Sequence, residues 1–409
     1  MKREEKLYLY DTTLRDGAQG EGIAFTVQDK LKIVKLLDKL GLHYIEAGNP
    51  GSNPKDMEFF EALKTLKLEN AKLAAFGSTR KPHSKVEEDN NLQALLAAGT
   101  EAVAVFGKSW DFHVTDIIRT TLDENLEMIR DTVSFLKNAG KEVVFDAEHF
   151  FDGYKGNPEY ALEALKAAKN AGADWLVLCD TNGGTMTLEL HQIVKKVREV
   201  LRDGRIGIHC HNDCDMAVAN SIAAVESGAT QIQGTMNGYG ERCGNTNLCS
   251  LIPSLQLKKG YRVLPMNRLV EMTKASRYVS ELANKAHDEQ MPYVGNNAFA
   301  HKGGMHIDGV MKDSRSFEHV IPEQVGNHRR MLMSEVSGRS TILERVKRVA
   351  PHLHKNSEEI KDIVDRLKKL EHEGYQFEGA ESSFDLMVRR ILGSDRDFFT
   401  VEDFSIISE

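Results

Sequence analysis

The 409-residue sequence predicts an α/β fold: a (β/α)8 TIM barrel followed by a connector subdomain and a small helical domain. Two observations carry this. Over the first 260 residues or so, a short β-rich apolar run, a few polar residues, a helical stretch and a glycine recur eight times. Beyond that point the alternation stops, and helical periodicity returns only after about residue 340. Alternating βα units build a parallel sheet, and eight of them can close on themselves. The alternative is an open doubly wound sheet, against which counts the lack of a G-x-G-x-x-G after any strand.

The eight runs are Leu7–Asp11, His43–Ala47, Lys72–Phe76, Ala102–Phe106, Glu142–Asp146, Trp175–Cys179, Arg205–His209 and Gln231–Thr235. The first helix, Thr26 to Leu40, sets Val27, Leu31, Val34, Leu37 and Leu40 on one stripe. Asn53-Pro54 and Asn157-Pro158 read as an N-cap followed by proline in the first turn, and Thr121-x-x-Glu124 as a capping box. Gly41, Gly99, Gly140 and Gly172 stand where left-handed C-caps end helices. These signals place the barrel at 1–286, the connector or lid at 287–338 and the helical subdomain at 339–400. Within them, 267–286 reads as helical and 290–335 as irregular. In the last part Ser357 caps a helix with Ile360, Ile363, Val364, Leu367 and Leu370 on one stripe, stopped at Gly374. The tail 401–409 reads as a strand that opens a further domain.

Composition narrows the class. Lys+Arg 53 against Asp+Glu 61 gives −8, which argues against nucleic acid as partner. Five cysteines suit a reducing, cytoplasmic setting rather than a disulfide scaffold. No apolar run approaches a membrane span, and the N-terminus has no signal-peptide core.

In barrels of this kind, chemistry sits at the C-terminal strand ends. Here all eight are polar or charged, from Asp11-Thr-Thr-Leu-Arg15-Asp16 round to Thr235-Met-Asn237. His209-x-His211 on strand seven points two imidazoles the same way, and barrel closure would bring Asp16 beside them. Two His and a carboxylate suit a divalent metal with open positions. Cys210 and Cys214 read as bystanders. Arg15 suits a carboxylate or enolate oxygen, with Glu46 on strand two as its counter-charge. Glu148 at the end of strand five would face the metal as an acid/base group, and Thr181 could donate to a bound carboxylate. In the connector, His301-Lys-Gly-Gly-Met-His306-Ile-Asp308-Gly309 reads as a mobile lid or the donor of a catalytic base.

Together DTTLRDGAQ (11–19), IEAGNP (45–50), DTNGG (180–184), HCHND (209–213), GERCGNTNL (240–248) and HKGGMHIDG (301–309) resemble the DRE-TIM metallolyase superfamily, in the branch of α-isopropylmalate, homocitrate and citramalate synthases. The stretches 48–60 and 145–162 are most similar to bacterial (R)-citramalate synthases. The resemblance implies Asp16, His209 and His211 as ligands of Zn, Mn or Mg, with Asn245 nearby or a fourth ligand. It implies that Arg15 and Thr181, with Glu46 behind, hold the 2-oxo acid, and that Asp308 lies near the acetyl-CoA end. It makes His306, reaching in from a partner subunit of an exchanged homodimer, the base, with Glu148 in support.

The expected activity is an acyltransferase reaction joining acetyl-CoA and pyruvate into citramalate, in isoleucine biosynthesis, without the isoleucine-sensing C-terminal domain that most relatives carry. The rivals are a 2-isopropylmalate or homocitrate synthase using a larger 2-oxo acid, an aldol-cleaving acyl-CoA lyase, and a non-catalytic metal-binding sensor or scaffold. A metal hydrolase of the amidohydrolase type would instead be expected to carry its His-x-His on strand one.

Overall fold

The computed structural model describes residues 6–52, 54–332, 339–377, 380–396 and 399–406. The chain divides into two compact units. One comprises the residues up to Gly295 together with Gln324–Asn327, the other Asn296–Glu323 and His328 onward.

In the first unit, eight parallel strands close into a barrel in sequence order. They are β1 (Tyr8–Asp11), β2 (Tyr44–Gly48), β3 (Lys72–Ser78), β4 (Ala102–Lys108), β5 (Glu142–Glu148), β6 (Trp175–Asp180), β7 (Ile206–Cys210) and β8 (Gln231–Gly234). The seam is continuous: Tyr8 to Asp11 on β1 face Gln231 to Gly234 on β8. Strands β3, β4 and β5 each run two residues beyond the sequence expectation. The β4–β5 pairing continues to Lys108 and Glu148, which puts Glu148 at the end of β5, as expected.

Inside, Tyr10, Tyr44, Trp175, Val144 and Val177 pack around small residues such as Ala74 and Ala104. At the N-terminal ends, the Glu142 carboxylate accepts from Tyr44 Oη (2.6 Å), Lys72 Nζ (2.6 Å) and Trp175 Nε1 (3.3 Å). The Arg205 guanidinium lies 3.7 Å from the Trp175 ring centre. These contacts plug the bottom, so the cavities that matter open at the other end.

The helix Val27–Leu40 starts with a complete capping box between Thr26 and Asp29. Gly41, Gly99, Gly140 and Gly172 all have positive φ, the left-handed conformation that glycine adopts without a Cβ clash. Asn157 accepts from Tyr160 N ahead of Pro158. The proposed cap at Asn53 lies outside the described residues. At Thr121 only half of the box forms. The hydroxyl accepts from Glu124 N, but Glu124 Oε1 accepts instead from Arg80 Nη1 (2.7 Å) and His83 N (2.9 Å). A buried guanidinium is the stronger competitor for that carboxylate. After β8 the helical stretch breaks into Met266–Leu269 and Met272–Leu282.

The second unit departs from the sequence reading in three places. The connector is not wholly irregular: Gly304–Lys312 is a helix, and Ala300–His301 pairs in parallel with Arg330–Met331. Burial of Ile307 and Val310, one turn apart, offsets the helix-weakening glycines. Ser357 stands at the N-cap of Glu358–His372, but its hydroxyl donates back to His354 O (2.7 Å) and caps nothing. Along that helix Ile360, Ile363, Val364 and Leu367 are buried as expected, against Phe384 and Val388 of the helix Glu381–Ile391. The tail residues 399–406 form no strand, for none of the described strands pairs with them; 407–409 lie outside the described residues. Among the described residues no helix is long and apolar enough to cross a membrane.

One buried carboxylate outside the mouth anchors the approach to β3. Asp38 accepts from Glu69 N (3.0 Å), Asn70 N (2.8 Å) and Ala71 N (2.8 Å). Asp38→Ala leaves these donors unpaired and should lower barrel stability by about 3 kcal/mol. Both tryptophans, Trp110 and Trp175, belong to this unit, so urea unfolding followed by tryptophan fluorescence reads it. A loss below about 1 kcal/mol would show that the anchor is dispensable.

Candidate active site

The turn after β1 is fixed before any functional group is placed. Asp11 accepts from Thr13 N (2.9 Å) and Thr13 Oγ1 (2.7 Å), and Thr13 Oγ1 in turn accepts from Met236 N (2.8 Å) beyond β8. That lock aims Arg15 and Asp16 into the mouth. On β7, His209 points the same way, while His211 follows in an antiparallel bridge with Asn245. The two imidazole centres are 5.3 Å apart.

Asp16 Oδ2 lies 3.2 Å from His209 Nε2 and 3.8 Å from His211 Nε2. All three residues are buried, and one donor atom from each falls within 4.8 Å of the others. Burial works against the Asp16 carboxylate, but Arg15 and His209 hold it well below the usual carboxylate range. Burial, with the charge of His209 beside it, pushes His211 down to about 4, so its imidazole is neutral near pH 7. An ionised carboxylate and a neutral imidazole are the forms that ligate a metal. One orphaned atom also suits an ion: the buried Asn245 Oδ1 has no hydrogen-bond partner. The Asn245 amide nitrogen is spent on Tyr239 O (3.2 Å), which leaves its oxygen unengaged. This O/N donor set fits a divalent cation. Among the described residues no cysteine joins the cluster.

Arg15 is pinned on three sides. Its Nε donates to Glu46 Oε1 (2.5 Å), its Nη1 lies 3.3 Å from Asp16 Oδ2, and its guanidinium carbon sits 3.7 Å from the Phe76 ring centre. Glu46 is fully buried, and its other oxygen accepts from Tyr10 Oη (2.7 Å). Both of its oxygens are thus engaged behind Arg15. In front lies a cavity of about 240 Å³ lined by Arg15, Asp16, Asp146, Glu148, Thr181 and His209 among others. A second cavity, of about 420 Å³, adjoins the loops after β1 and β2 and shares Arg15, Gln19 and Phe76 with the first.

Thr181 Oγ1 accepts from His149 N (2.9 Å), so its hydroxyl hydrogen remains available to a ligand. Glu148 pairs with Lys108, its register partner on β4. His306 and Asp308 belong to the second unit, on the helix Gly304–Lys312 rather than in a loop. The exposed His306 ring stacks on Phe317 with centres 4.2 Å apart, and Asp308 Oδ2 accepts from Lys312 Nζ (2.6 Å). His301 is instead buried against Glu318 (3.2 Å), which also holds Arg329 through two bonds of 2.6 Å.

Several residues at the mouth escaped the sequence reading. Asp146, pushed up to about 7 by burial and by Glu46, lines the main cavity. Gln233 contacts His209 Nδ1 at 2.9 Å. Arg242, at φ 54°, grips Asp213 through Nε (2.8 Å) and Nη2 (3.0 Å) and donates to Thr181 O (2.7 Å). The glycines of this loop are required: a Cβ on Gly244 would stand 2.0 Å from Gly238 O. A polar alternation inside a buried strand, Gln231-Ile-Gln233, was the signal for Gln233.

The HMGL-like family model matches residues 6–279, and the model "Homocitrate synthase post-HMGL domain-like" matches 293–375. The (R)-citramalate synthase of Aquifex aeolicus is 52% identical over 98% of this chain and 76% of its own length. A 2-isopropylmalate synthase of Sulfurisphaera tokodaii is 32% identical over 90% of this chain and 92% of its own. Among solved structures, the hydroxymethylglutaryl-CoA lyase of Pseudomonas aeruginosa superposes with a TM-score of 0.59 at 20% identity, covering 70% of this chain and 96% of that one. At that identity the likeness is one of fold.

The ligand set can be tested without turnover. Asp16→Ala and His209→Ala should each abolish stoichiometric binding of Mn²⁺ or Zn²⁺ to chelator-stripped protein while leaving the far-UV circular dichroism unchanged. Full metal content in either variant would overturn the assignment.

Proposed function

The chain belongs to the HMGL-like family, on its citramalate synthase branch, and on that premise we propose that it is an (R)-citramalate synthase. It would convert acetyl-CoA, pyruvate and water into (R)-citramalate and free CoA, a step of isoleucine formation. The observation that carries this is the 52% identity to a citramalate synthase across almost the whole chain, against 32% to a 2-isopropylmalate synthase. The apolar wall of the main cavity agrees with it. Phe76 and Phe106, stacked with centres 5.5 Å apart, suit a methyl better than a charged chain.

In this reading Asp16, His209 and His211 hold a divalent metal, with Asn245 Oδ1 as a further donor. When bound, the metal supplies Lewis-acid polarisation of the 2-oxo group. Arg15 contributes a fixed positive charge, and Glu46, Asp16 and Phe76 keep it from reorienting when oxyanion charge develops. Thr181 donates its free hydroxyl hydrogen to the substrate carboxylate. His306 removes a proton from the thioester methyl, a step for which a placed base is typically worth about 10²–10⁴-fold. Glu148 assists, its carboxylate held by Lys108. The carbanion attacks the ketone carbon of pyruvate, and water then cleaves the citramalyl thioester. His306 would come from the partner in an exchanged homodimer, and Asp308 would lie near the acetyl-CoA end. Five free thiols agree with a cytoplasmic enzyme.

Release of free CoA, measured against pyruvate, 2-oxoisovalerate and 2-oxoglutarate, tests the acceptor. Pyruvate should lead 2-oxoisovalerate by at least about tenfold in kcat/KM, the least that one misfitting methylene costs. Equal or better turnover of a larger acid would replace this reading by that of a sister synthase, and no CoA release at all would sink it.

Assembly has its own test. Inactive His306→Ala and Glu148→Gln chains, mixed under conditions of demonstrated subunit exchange, should regain activity through hybrid sites. A monomeric mass in solution, or no recovery despite exchange, would exclude an exchanged dimer.

A further inference from the structure

A hydrogen-bonded file runs behind the metal ligands and takes no direct part in the chemistry above. Gln231 and Gln233 are both fully buried on β8. Gln233 Nε2 donates to Asp146 Oδ1 (3.1 Å) and lies 3.4 Å from Gln231 Oε1. The Asp146 carboxylate is an acceptor, which fixes the orientation of the amide: its nitrogen faces Asp146, and its oxygen faces His209 Nδ1 at 2.9 Å. An amide oxygen only accepts, so Nδ1 must carry the hydrogen. Nε2 is then the atom left for ligation, and it is Nε2 that points to Asp16. Nothing comparable stands behind His211, whose Nδ1 has no partner and whose backbone is held by Asp180 O (3.1 Å).

We infer that Gln233, itself oriented by Asp146, is the positioning residue that fixes the tautomer and the aim of His209 at the divalent-cation site. The inference rests on the reading of Asp16, His209 and His211 as metal ligands. Asp146 thus acts two hydrogen bonds away from His209. Its carboxylate selects which end of the Gln233 amide faces β7, and that end selects which imidazole nitrogen is bare. With the acceptor lost, Nδ1–H would be buried without a partner, and the ring would be free to turn or change tautomer.

The experiment titrates Mn²⁺ alone into the chelator-stripped full chain, with affinity read by calorimetry and fold by circular dichroism. Gln233→Leu should weaken Mn²⁺ binding by about 10- to 100-fold, the usual effect of losing such an outer partner. Gln233→Glu alone sets a second carboxylate against Asp146 and should also bind poorly. The double variant Gln233→Glu with Asp146→Asn restores the order of donor and acceptor: the new amide donates to the new carboxylate, which accepts from His209 Nδ1. It should recover affinity to within several-fold of the starting protein, a result that simple loss of packing cannot give. Unchanged binding in Gln233→Leu overturns the inference, as does a folded double variant that stays weak. If Gln233→Leu does not fold, the double variant decides alone. Wild-type protein that takes up no Mn²⁺ overturns the ligand reading and this inference together, whereas wild-type binding that Asp16→Ala abolishes and Gln233→Leu leaves intact overturns only the inference.

Discussion

Closure of the sheet between β1 and β8 is the constraint on which the site depends. Asp16 follows β1, His209 lies on β7 and His211 just after it, so they can meet only if the first strand lies beside the last. The seam does more than complete the barrel. Thr12 N donates to Gly234 O (2.8 Å), and Thr13 Oγ1 accepts from Met236 N (2.8 Å), so the loop bearing Arg15 and Asp16 is bolted to the far end of the chain's repeat. The wound loop after β8 then presents Asn245 to β7. Trp175, Tyr44 and Glu142 fill the barrel interior at the other end.

The charge balance at the mouth explains why these groups must act together. Asp16, Glu46 and Asp146 are buried close to one another, with Arg15 as their guanidinium partner. Three carboxylates against one guanidinium leave a deficit of two positive charges when all are ionised. Burying that deficit is costly. The protein alone meets it by holding protons: Asp146 is pushed up to about 7, and the His209 imidazole, although burial disfavours its charge, is drawn upward by Asp16. A divalent cation at Asp16, His209 and His211 would meet the same deficit without protons. The arrangement that destabilises an isolated barrel mouth is the one that would give a metal its affinity.

Much of this was legible in the sequence because it is periodic or local. All eight strands, the C-cap glycines and the His-x-His pair announce themselves within a few residues. What was not legible depends on partners far along the chain. Glu124 matches a capping box, yet Arg80 takes its carboxylate from 44 residues away. The helix Gly304–Lys312 is discouraged by its own glycines and is held by burial of Ile307 and Val310. A Cβ on Gly309 would stand 2.7 Å from the Phe317 ring, so the residue that weakens the helix is also what lets the ring approach. The pairing of Lys108 with Glu148 comes from the β4–β5 register, 40 residues apart in the chain. The role of Gln233 needs Asp146, 87 residues earlier, and no local pattern encodes that pairing.

The choice of a neutral amide behind His209 follows from the same balance. Metal-bound imidazoles are often backed by a carboxylate, which raises their basicity. Here a carboxylate in direct contact with Nδ1 would add negative charge where Asp16, Glu46 and Asp146 already crowd. Gln233 supplies the acceptor without the charge, and Asp146 stands one residue further back, where it orients the amide without touching the imidazole. The amide thus spaces the Asp146 charge from the His209 imidazole. The barrel interior can carry Asp146, Gln233 and His209 as a polar file because each is hydrogen-bonded to the next.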